Sequence, residues 1–336
     1  MVDAAILVAV LVEGVTGLWS LTARSDDGWL FVVHGVVGLV LVVLLGFKFR
    51  RVWRRLRGRL TRTVGVSLLL SLVAIAALLT GIAWTLGATS PVPGLTLLVL
   101  HGYLGALVVP ILLVHLLARF RLPDRETIRE RRQALRVGGL LVGGAVVWRL
   151  QQGLASELVP SRRFTGSREA GSDDGNAFPV TSWVADDPEP IDESTWQLSV
   201  RGGVETPLEL AADELPGGSE SRALLDCTSG WYSEHDWQGV RVGDLLDAAE
   251  ADQDAGWVRF RSVTGYRWSL PMAEARDALL ATHVDGDRLS HGHGFPVRLV
   301  APGRRGFQWV KWVDAVEVRY RSDPAQWLAT VVSGFD

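Results

Sequence analysis

The sequence predicts a multidomain protein, an all-α bundle of transmembrane helices followed by an α+β domain. Four long apolar runs lie within the first 150 residues, whereas short runs of alternating polarity fill the remainder. The charges divide at the same place, because residues 1–150 hold 17 Lys and Arg against 7 Asp and Glu, and residues 151–336 hold 17 against 30. The sums, +10 and −13, give the net charge of −3. We therefore expect the first part in a membrane and the second in water.

Each apolar run is long enough to cross a bilayer as a helix, at about 4–22, 28–47, 63–87 and 94–119. A signal peptide would supply one short apolar stretch, so these runs indicate a multi-pass domain in contact with membrane lipid. A fifth run, 137–148, is shorter and spans only with flanking residues. Residues 1–150 are therefore predicted to form four spanning helices and a fifth, connecting helix.

The loops predict the orientation, since Lys and Arg accumulate on the cytoplasmic side. The link over 48–62 carries eight of them and the link over 119–136 is also rich in Arg, whereas 22–28 has one Arg beside two Asp and 88–93 has no charge. We expect a cytoplasmic N-terminus and an extracytoplasmic C-terminal domain at the cell membrane. Topology explains the basic links without a nucleic-acid partner.

An arginine pair, Arg131 and Arg132, precedes the fifth run, and a Gly-rich apolar segment follows the pair. This order resembles a twin-arginine export signal, which suits a domain that folds around a cofactor before it crosses the membrane. Arginine pairs are also common in cytoplasmic links. The pair by itself fits either interpretation.

Three histidines lie within the predicted spans, where ionisable side chains are costly and by default mark function. His34 and His101 each lie about seven residues from the outer end of a span, and paired imidazoles at equal depth suit the axial ligands of a haem b. Hydrogen bonds between helices are the alternative. His115, nearer the cytoplasmic side, fits such a bond or a quinone site. Glu13, in the first span, is a candidate for handling protons.

Residues 151–175 are rich in Gly, Ser, Arg and Asp and lack apolar periodicity, which predicts a flexible linker. Residues 176–336 are predicted to form one α+β domain. Its expected strands lie at 196–200, 208–210, 257–260, 296–300 and 309–320, and its expected helices at 242–249 and 272–281.

The only cysteine, Cys227, follows a short apolar run and precedes turn residues. It has no partner for an internal disulfide. A thiol at the end of a strand is placed to bind a metal or to react, although a lone cysteine is also commonly a small buried apolar residue. The surrounding motifs favour the first interpretation.

Six motifs of the acidic domain occur in a family's order: Phe178-Pro179-Val180-Thr181, Trp196-x-Leu-x-Val-x-Gly with Pro207-Leu208, Cys227-x-x-Gly-Trp231, Trp237-x-Gly-Val240, His293-Gly294-x-Pro296-x-Arg298-Leu299 and Gly306-x-x-x-x-Lys311-Trp312. On these residues the sequence resembles the molybdopterin-binding domain of the sulfite oxidase family. It is most similar to the bacterial branch that includes the catalytic subunit of periplasmic methionine-sulfoxide reductase. The resemblance covers about 176–320, nearly the whole acidic domain.

The resemblance implies a molybdopterin cofactor with Cys227 as the ligand of molybdenum, for which a soft thiolate is suited. It also implies cationic and backbone N–H partners for the phosphate of the pterin. The matching positions for that phosphate are Arg298, Lys311, Trp309 and Val310. The positions that match other pterin contacts are His293, Ser262, Asn176, Pro179 and Val180.

Sulfite oxidases place arginines directly after the ligand cysteine, whereas residues 228–232 read Thr-Ser-Gly-Trp-Tyr. An aromatic mouth beside the metal is therefore expected. Candidates to line it are Trp231, Tyr232, His235 and Trp237, of which His235 could transfer a proton, while the two tryptophans could equally pack around the pterin. Positive charge for sulfite could still come from Arg241, Arg304 and Arg305.

Together these interpretations predict a membrane-anchored molybdenum oxidoreductase with a haem b. It would exchange electrons between quinone or quinol and a small oxo-transfer substrate, an S-oxide or N-oxide. One alternative keeps the fold and reverses the electron flow, which gives a sulfite dehydrogenase. Another is a tethered binding domain that holds no metal.

Overall fold

The computed structural model describes residues 2–56, 62–92, 94–119, 131–183 and 186–332. The chain divides into two compact units, Met1–Arg168 and Glu169–Asp336. Parts of both Arg-rich links, at 57–61 and 120–130, lie outside the described residues.

Within its described residues the first unit holds five long helices: α1 (Val2–Ser20), α2 (Gly28–Leu56), α3 (Arg62–Thr85), α4 (Leu97–Arg119) and α5 (Arg131–Leu158). Four segments are long and apolar enough to cross a membrane, namely Val2–Ser20, Ser25–Arg51, Val64–Thr85 and Leu97–Leu117. This confirms the four predicted apolar helices. α5 is not among them, since arginines flank its short apolar stretch on both sides.

Small residues bring α2 and α5 together. A Cβ added at Gly35 of α2 would lie 2.5 Å from the Trp148 ring of α5, and one added at Gly144 would lie 2.7 Å from Val40. Glycines at such crossings let helix backbones approach where lipid provides no hydrophobic drive between helices. The bundle is therefore held by close packing of small and branched side chains.

The structure differs from the predicted flexible linker over its first part. α5 continues to Leu158, and the residues after it fold back on the end of α3. The Trp84 indole N–H donates to the Gly166 oxygen at 2.9 Å, and the Arg168 guanidinium stacks 3.7 Å from the Trp84 ring while it donates to the Trp84 oxygen at 2.7 Å. These bonds join residues more than 80 positions apart, which a search for apolar periodicity does not detect.

In its described residues, the second unit contains two sheets and three short α-helices. One sheet has the order β1-β5-β8-β10, with β4 beside β5 and β9 beside β8, and the other has the order β3-β2-β11-β6-β7, in which β2 and β11 are parallel. The bounds are β1 (Arg168–Glu169), β2 (Gln197–Gly202), β3 (Leu208–Ala211), β4 (Ser219–Asp226), β5 (Trp231–Arg241), α6 (Val242–Ala248), β6 (Trp257–Ser262), β7 (Arg267–Pro271), α7 (Met272–Asp277), β8 (Leu279–Val284), β9 (Asp287–Arg288), β10 (Arg298–Val300), β11 (Val313–Arg319) and α8 (Gln326–Val332).

One apolar core joins both sheets and α6, with members such as Leu198, Val240 and Leu245. The α+β prediction is confirmed. The helix predicted at 272–281 is wrong in its second half, because it ends at Asp277 and β8 begins at Leu279. β8 pairs on both sides, so it is a central strand with buried faces, and its continuous apolar run resembles a helix.

The strand predicted at 309–320 begins only at Val313. The preceding residues form a 3-10 turn over Gly306–Gln308, and Trp312 adopts a left-handed backbone with φ +51°. This irregular segment and the β4–β5 hairpin carry three of the six motifs, including Cys227 and Lys311.

Candidate active site

Cys227 lies in the tight turn between β4 and β5. Its N–H donates to the Trp231 oxygen at 2.9 Å, and the Gly230 N–H donates back to the Cys227 oxygen at 3.1 Å. Gly230 has φ +102°, a conformation that favours glycine. The thiol is 7% exposed and its sulfur lies 3.0 Å from Ser229 Oγ. The hairpin thus fixes the sulfur at the end of two strands, as the sequence predicted.

A buried ion pair between Arg305 and Asp226 lies next to the Cys227 turn and holds its backbone. Arg305 donates from Nη2 to the Cys227 oxygen at 3.4 Å, and its Nη1 lies 2.9 Å from Asp226 Oδ2. Gly306 allows this approach, since a Cβ there would lie 3.1 Å from the Cys227 Cα. Asp226 balances the charge of Arg305, so this arginine holds the backbone of the turn.

Arg298 is the buried cation of the site, at 3% exposure. Its Nη1 donates to the His293 oxygen at 3.0 Å, and its guanidinium lies 5.1 Å from the ring centroid of Trp237. Burial lowers the pKa of Arg298 to about 9, a shift that nearby Cys227 opposes. The Nε has no hydrogen-bond partner in the part of the chain that the structure describes. A buried donor left unpaired is costly, so this side chain suits an anionic ligand.

Lys311 is the second cation. It donates to Ser182 Oγ at 2.6 Å and to the Gly292 oxygen at 3.1 Å, and its ammonium lies 4.2 Å from the Trp312 ring centroid. Burial, and then repulsion by Arg298, lowers the pKa of Lys311 to about 8. A phosphate near the two cations would relieve this repulsion. The pair therefore fits the phosphate of the pterin that the resemblance implies.

His293 differs from its expected role as a pterin contact, because both of its ring nitrogens are used within the protein. Nδ1 accepts from the Ser290 hydroxyl at 2.7 Å, and the Nε2 N–H donates to the Phe178 oxygen at 2.8 Å. Burial and the nearby Arg298 lower the pKa of His293 to about 4, so the ring is neutral at pH 7. It fixes the segment at Phe178 and leaves no ring N–H for a cofactor.

We expect the free energy of unfolding of the second unit to fall as the pH is lowered from about 6.5 to about 4. In this window the unfolded chain binds a proton at His293 that the folded chain does not, because the folded pKa is about 4 and the unfolded value is about 6.5. The loss amounts to about 3 kcal/mol over the full window. Urea titrations of the full chain in detergent at several pH values, followed by tryptophan fluorescence, measure it.

The His293→Gln variant should flatten this pH dependence, while His283→Gln serves as the matched control. His283 is half-buried and lies on β8, with its Nδ1 2.9 Å from Thr282 Oγ1. If the free energy of unfolding of His293→Gln depended on pH as strongly as that of the wild type, the pH dependence could not come from His293.

His235 differs from its expected position at the mouth of the site, since it is fully buried. Its Nδ1 lies 2.6 Å from Asp285 Oδ2, and its ring centroid lies 4.6 Å from that of Phe178. Its Nε2 has no hydrogen-bond partner among the residues that the structure describes. The alternation of β5 directs it into the core, together with Ser233 and Trp237. The structure therefore does not place His235 where it could transfer a proton to a substrate.

The three aromatic candidates take different positions. Trp237 is fully buried and donates to the Ala223 oxygen at 3.1 Å, which agrees with the packing interpretation. Trp231 is half-buried and donates from Nε1 to Thr181 Oγ1 at 3.0 Å. Tyr232 follows Trp231 in β5, so its side chain lies on the opposite face of the strand. Trp231 belongs to the Cys227 turn, because its oxygen accepts from the Cys227 N–H at 2.9 Å.

Asn176 uses both ends of its amide within the protein. Nδ2 donates to the Arg288 oxygen at 2.9 Å, and Oδ1 accepts from the Ser290 N–H at 2.8 Å. Pro179 and Val180 are exposed, Val180 by 55%. The segment is therefore held by hydrogen bonds at Asn176, while the side chains of Pro179 and Val180 are exposed to solvent.

The remaining pterin candidates, Ser262, Trp309 and Val310, are all buried. Ser262 is buried and its hydroxyl accepts from the Thr264 N–H at 3.3 Å. The Trp309 N–H donates to the Gly306 oxygen at 3.0 Å, and the Val310 oxygen accepts from the Leu299 N–H at 2.8 Å. The Trp309 amide is therefore already used, contrary to the expectation that it would hold the phosphate.

Of the three arginines considered for a cationic mouth, only Arg305 reaches Cys227. Arg241 is half-exposed and lies 3.9 Å from Asp277, while Arg304 donates from Nε to Glu274 at 2.8 Å. These two arginines do not converge on the thiol.

Three residues near the site escaped sequence reasoning. Asp285 holds His235 and also accepts from the Gly175 N–H at 3.0 Å, and no local signal marks it. Asp226 and Ser229 flank Cys227, and proximity in sequence could have indicated them.

The helical unit carries a second candidate site. The ring centroids of His34 and His101 lie 5.8 Å apart with the rings perpendicular. His34 Nδ1 lies 2.9 Å from Thr16 Oγ1 and 3.0 Å from Glu13 Oε2, while His101 Nδ1 lies 2.8 Å from the Ala77 oxygen. Neither Nε2 has a hydrogen-bond partner among the described residues. Imidazoles that bind a metal are commonly held in this way by the other nitrogen, so the pair fits a haem iron.

His115 is held separately, with Nδ1 3.3 Å from Ser67 Oγ. Among the described residues no group of three or more His, Cys, Asp or Glu side chains could hold a metal ion. A haem or a thiolate-bound metal needs no such group, since the cofactor itself supplies most of the ligands.

Comparison with known proteins identifies relatives of the second unit. The oxidoreductase molybdopterin-binding domain family matches residues 185–327. The uncharacterized oxidoreductase YuiH of Bacillus subtilis is 31% identical over 156 residues, which cover 45% of this chain and 78% of that protein. The methionine-sulfoxide reductase catalytic subunit MsrP of Gluconobacter oxydans is 27% identical over 175 residues, 46% of this chain and 54% of that protein. The chain thus spans about half the length of this MsrP.

A third relative extends the similarity. The putative methionine-sulfoxide reductase subunit YedZ1 of Azospira oryzae is 27% identical over 215 residues, 59% of this chain and 81% of that protein. Since 59% of 336 residues is about 198, and each unit holds 168, this match includes residues of the helical unit. With the match to YuiH and the Cys227 turn near the cations of Arg298 and Lys311, the chain belongs to the family of oxidoreductases with a molybdopterin-binding domain, the sulfite oxidase family.

Proposed function

We propose that the chain reduces a small S-oxide or N-oxide at a molybdenum centre outside the cell, with electrons that a haem b receives from quinol. The observation that carries the proposal is the Cys227 thiol in one region with two cations, the half-buried Lys311 and the buried Arg298, whose Nε has no hydrogen-bond partner among the described residues. When bound, the cofactor supplies oxygen-atom transfer coupled to two electrons. The protein supplies the ligand, the anchor for the phosphate and the shape of the entrance.

Each side chain has a distinct task in this proposal. Cys227 would hold the metal through its thiolate, while Arg298 and Lys311 would hold the phosphate of the pterin. Arg305 keeps the Cys227 turn in place through its bond to the Cys227 oxygen. His293 fixes the adjoining segment through the Phe178 oxygen. These hydrogen bonds are present without the cofactor, so they fix the positions of the protein groups that would hold it.

The surroundings of Cys227 favour an S-oxide over the sulfite anion. Arg241 and Arg304 pair with carboxylates elsewhere, and Asp226 balances Arg305. An exposed apolar side chain lies near the turn instead, since Val180 is 55% exposed and precedes Thr181, whose hydroxyl is within reach of Ser229 and Trp231. A neutral, partly apolar substrate gains more from such a surface than a small dianion does. The names of MsrP and YedZ1 point to the same class of substrate.

The helical unit supports an electron path through the membrane. His34 and His101 are held by their Nδ1 atoms and would offer Nε2 to the iron. Gly81 makes room for this arrangement, because a Cβ there would lie 3.0 Å from the His101 ring. The basic links favour a cytoplasmic N-terminus. Quinol would bind within the bundle, where His115 is a candidate contact.

A substrate panel tests the proposal. The full chain, produced in a host that makes molybdopterin and purified in detergent, is expected to contain about one molybdenum per chain. With a reduced dye as donor, methionine sulfoxide should be turned over with a kcat/KM at least about tenfold above that for trimethylamine N-oxide, a difference of about 1.4 kcal/mol in the barrier. Sulfite with an oxidised dye should give only the blank rate.

Faster oxidation of sulfite than reduction of any oxide would establish the reverse electron flow instead. Matured protein without molybdenum would leave a tethered binding domain, and the proposal would fail.

A further inference from the structure

A short chain of hydrogen bonds ends on the Cys227 sulfur. Ser229 Oγ lies 3.0 Å from Cys227 Sγ, Thr181 Oγ1 lies 3.4 Å from Ser229 Oγ, and Trp231 Nε1 lies 3.0 Å from Thr181 Oγ1. The members come from two parts of the sequence, the Cys227 turn and the segment near Phe178, about 50 residues apart. Folding therefore places three hydrogen-bond donors one after another, with the Ser229 hydroxyl next to the sulfur of the candidate metal ligand.

The chemistry of the members fixes the direction of the chain. An indole N–H only donates, so Thr181 accepts from Trp231 and keeps its own proton to donate. The Ser229 hydroxyl is within reach of that proton, and its own proton is then available to the sulfur at 3.0 Å. Successive bonds of this kind polarise one another. The sulfur accordingly receives a stronger donor than an isolated serine would provide.

We infer that Ser229, with Thr181 and Trp231 behind it, is a positioning residue that sets the reduction potential of the bound molybdenum through the Cys227 sulfur. The inference rests on the proposed function, since it takes Cys227 as the metal ligand. A hydrogen bond withdraws electron density from a ligand sulfur, so the metal receives less charge and is easier to reduce. Hydrogen bonds to sulfur ligands shift the potentials of iron–sulfur and copper sites by the same mechanism.

The chain also links the metal ligand to the entrance. Thr181 is exposed and lies between Val180 and Ser182 on the segment that covers this side of the turn. A displacement of that segment would break the second bond and weaken the donor at the sulfur.

Four variants of the full, cofactor-loaded chain test the inference: Ser229→Ala, Thr181→Val and Trp231→Phe each remove one member, and Ser229→Thr retains the hydroxyl. Metal content is measured by elemental analysis, and the potential of the molybdenum by a redox titration followed by electron paramagnetic resonance. We expect wild-type metal content in all four variants. The potential should move to more negative values in the first three, most in Ser229→Ala and least in Trp231→Phe, and stay at the wild-type value in Ser229→Thr.

Ser233→Ala is the matched control. Its hydroxyl lies on the same hairpin, is fully buried and has no hydrogen-bond partner within the described ranges. Loss of this hydroxyl should not change the reduction potential of the molybdenum. An unmoved potential in metal-loaded Ser229→Ala, or an equal shift in Ser233→Ala, would overturn the inference and leave the proposed function intact. Wild-type protein that holds no molybdenum would overturn both.

Discussion

The Cys227→Ser variant is expected to lose all turnover of sulfoxide while it keeps its fold. Serine replaces a thiolate that suits molybdenum by a hydroxyl that ionises only at far higher pH. Removal of a residue that merely orients a metal ligand costs roughly 10- to 100-fold. Loss of the ligand itself should therefore lower kcat by more than about a hundredfold. Dye-coupled turnover and elemental analysis measure the change, and thermal unfolding reports on the fold.

The control for this prediction is Thr228→Ala, which lies in the same turn and is half-buried. It should retain activity within a few fold. The free energy of unfolding of Cys227→Ser should stay within about 1 kcal/mol of the wild-type value, because the two side chains differ little in size. Wild-type activity in Cys227→Ser would mean that the thiol is a small buried apolar residue after all.

The His34→Ala and His101→Ala variants are each expected to remove the Soret absorption of the purified protein. Each supplies one of two axial ligands in the proposed site, and their rings are 5.8 Å apart with no other described histidine in contact. Turnover driven by quinol should fall to the blank rate. Turnover driven by a reduced dye should persist, because such a donor delivers electrons without the haem. Optical spectra and the two assays separate these effects.

His115→Ala provides the matched control, since it removes a histidine from the same helix as His101. His115 is held by Ser67 of α3 and has no described contact with the His34 ring. It should keep the Soret band. A protein without any Soret band, or one in which only His115→Ala loses it, would replace the proposed ligand pair with the alternative of hydrogen bonds between helices.

Part of the site follows from local sequence. Cys227 lies at the end of β4, as the apolar run and turn residues predicted, and the motifs around Arg298 and Lys311 mark the two cations. The strand period also predicts that His235 and Trp237 share a face of β5. It does not reveal which face is covered. That depends on Phe178 and the rest of the core, and it decides that His235 is buried rather than at the entrance.

The hydrogen-bond partners of the site residues are the second feature that the sequence could not predict. His293 looks like a free imidazole in the sequence, yet Ser290 and the Phe178 oxygen use both of its nitrogens. Asn176 likewise bridges Arg288 and Ser290. The Phe178 and Arg288 partners lie more than 100 positions away along the chain, so no local pattern contains them.

By itself the sequence determined the division into an apolar, helical first part and an acidic second part, the α+β class of the second unit and the family's motifs. Each of these depends on composition or on patterns of a few residues, where hydrophobic transfer and backbone period act locally. Only the tertiary structure decided which polar groups are already paired, which side chains are buried, and that three hydroxyl and indole groups line up on one sulfur. Those outcomes depend on packing between distant segments, which fixes distances that sequence spacing leaves open.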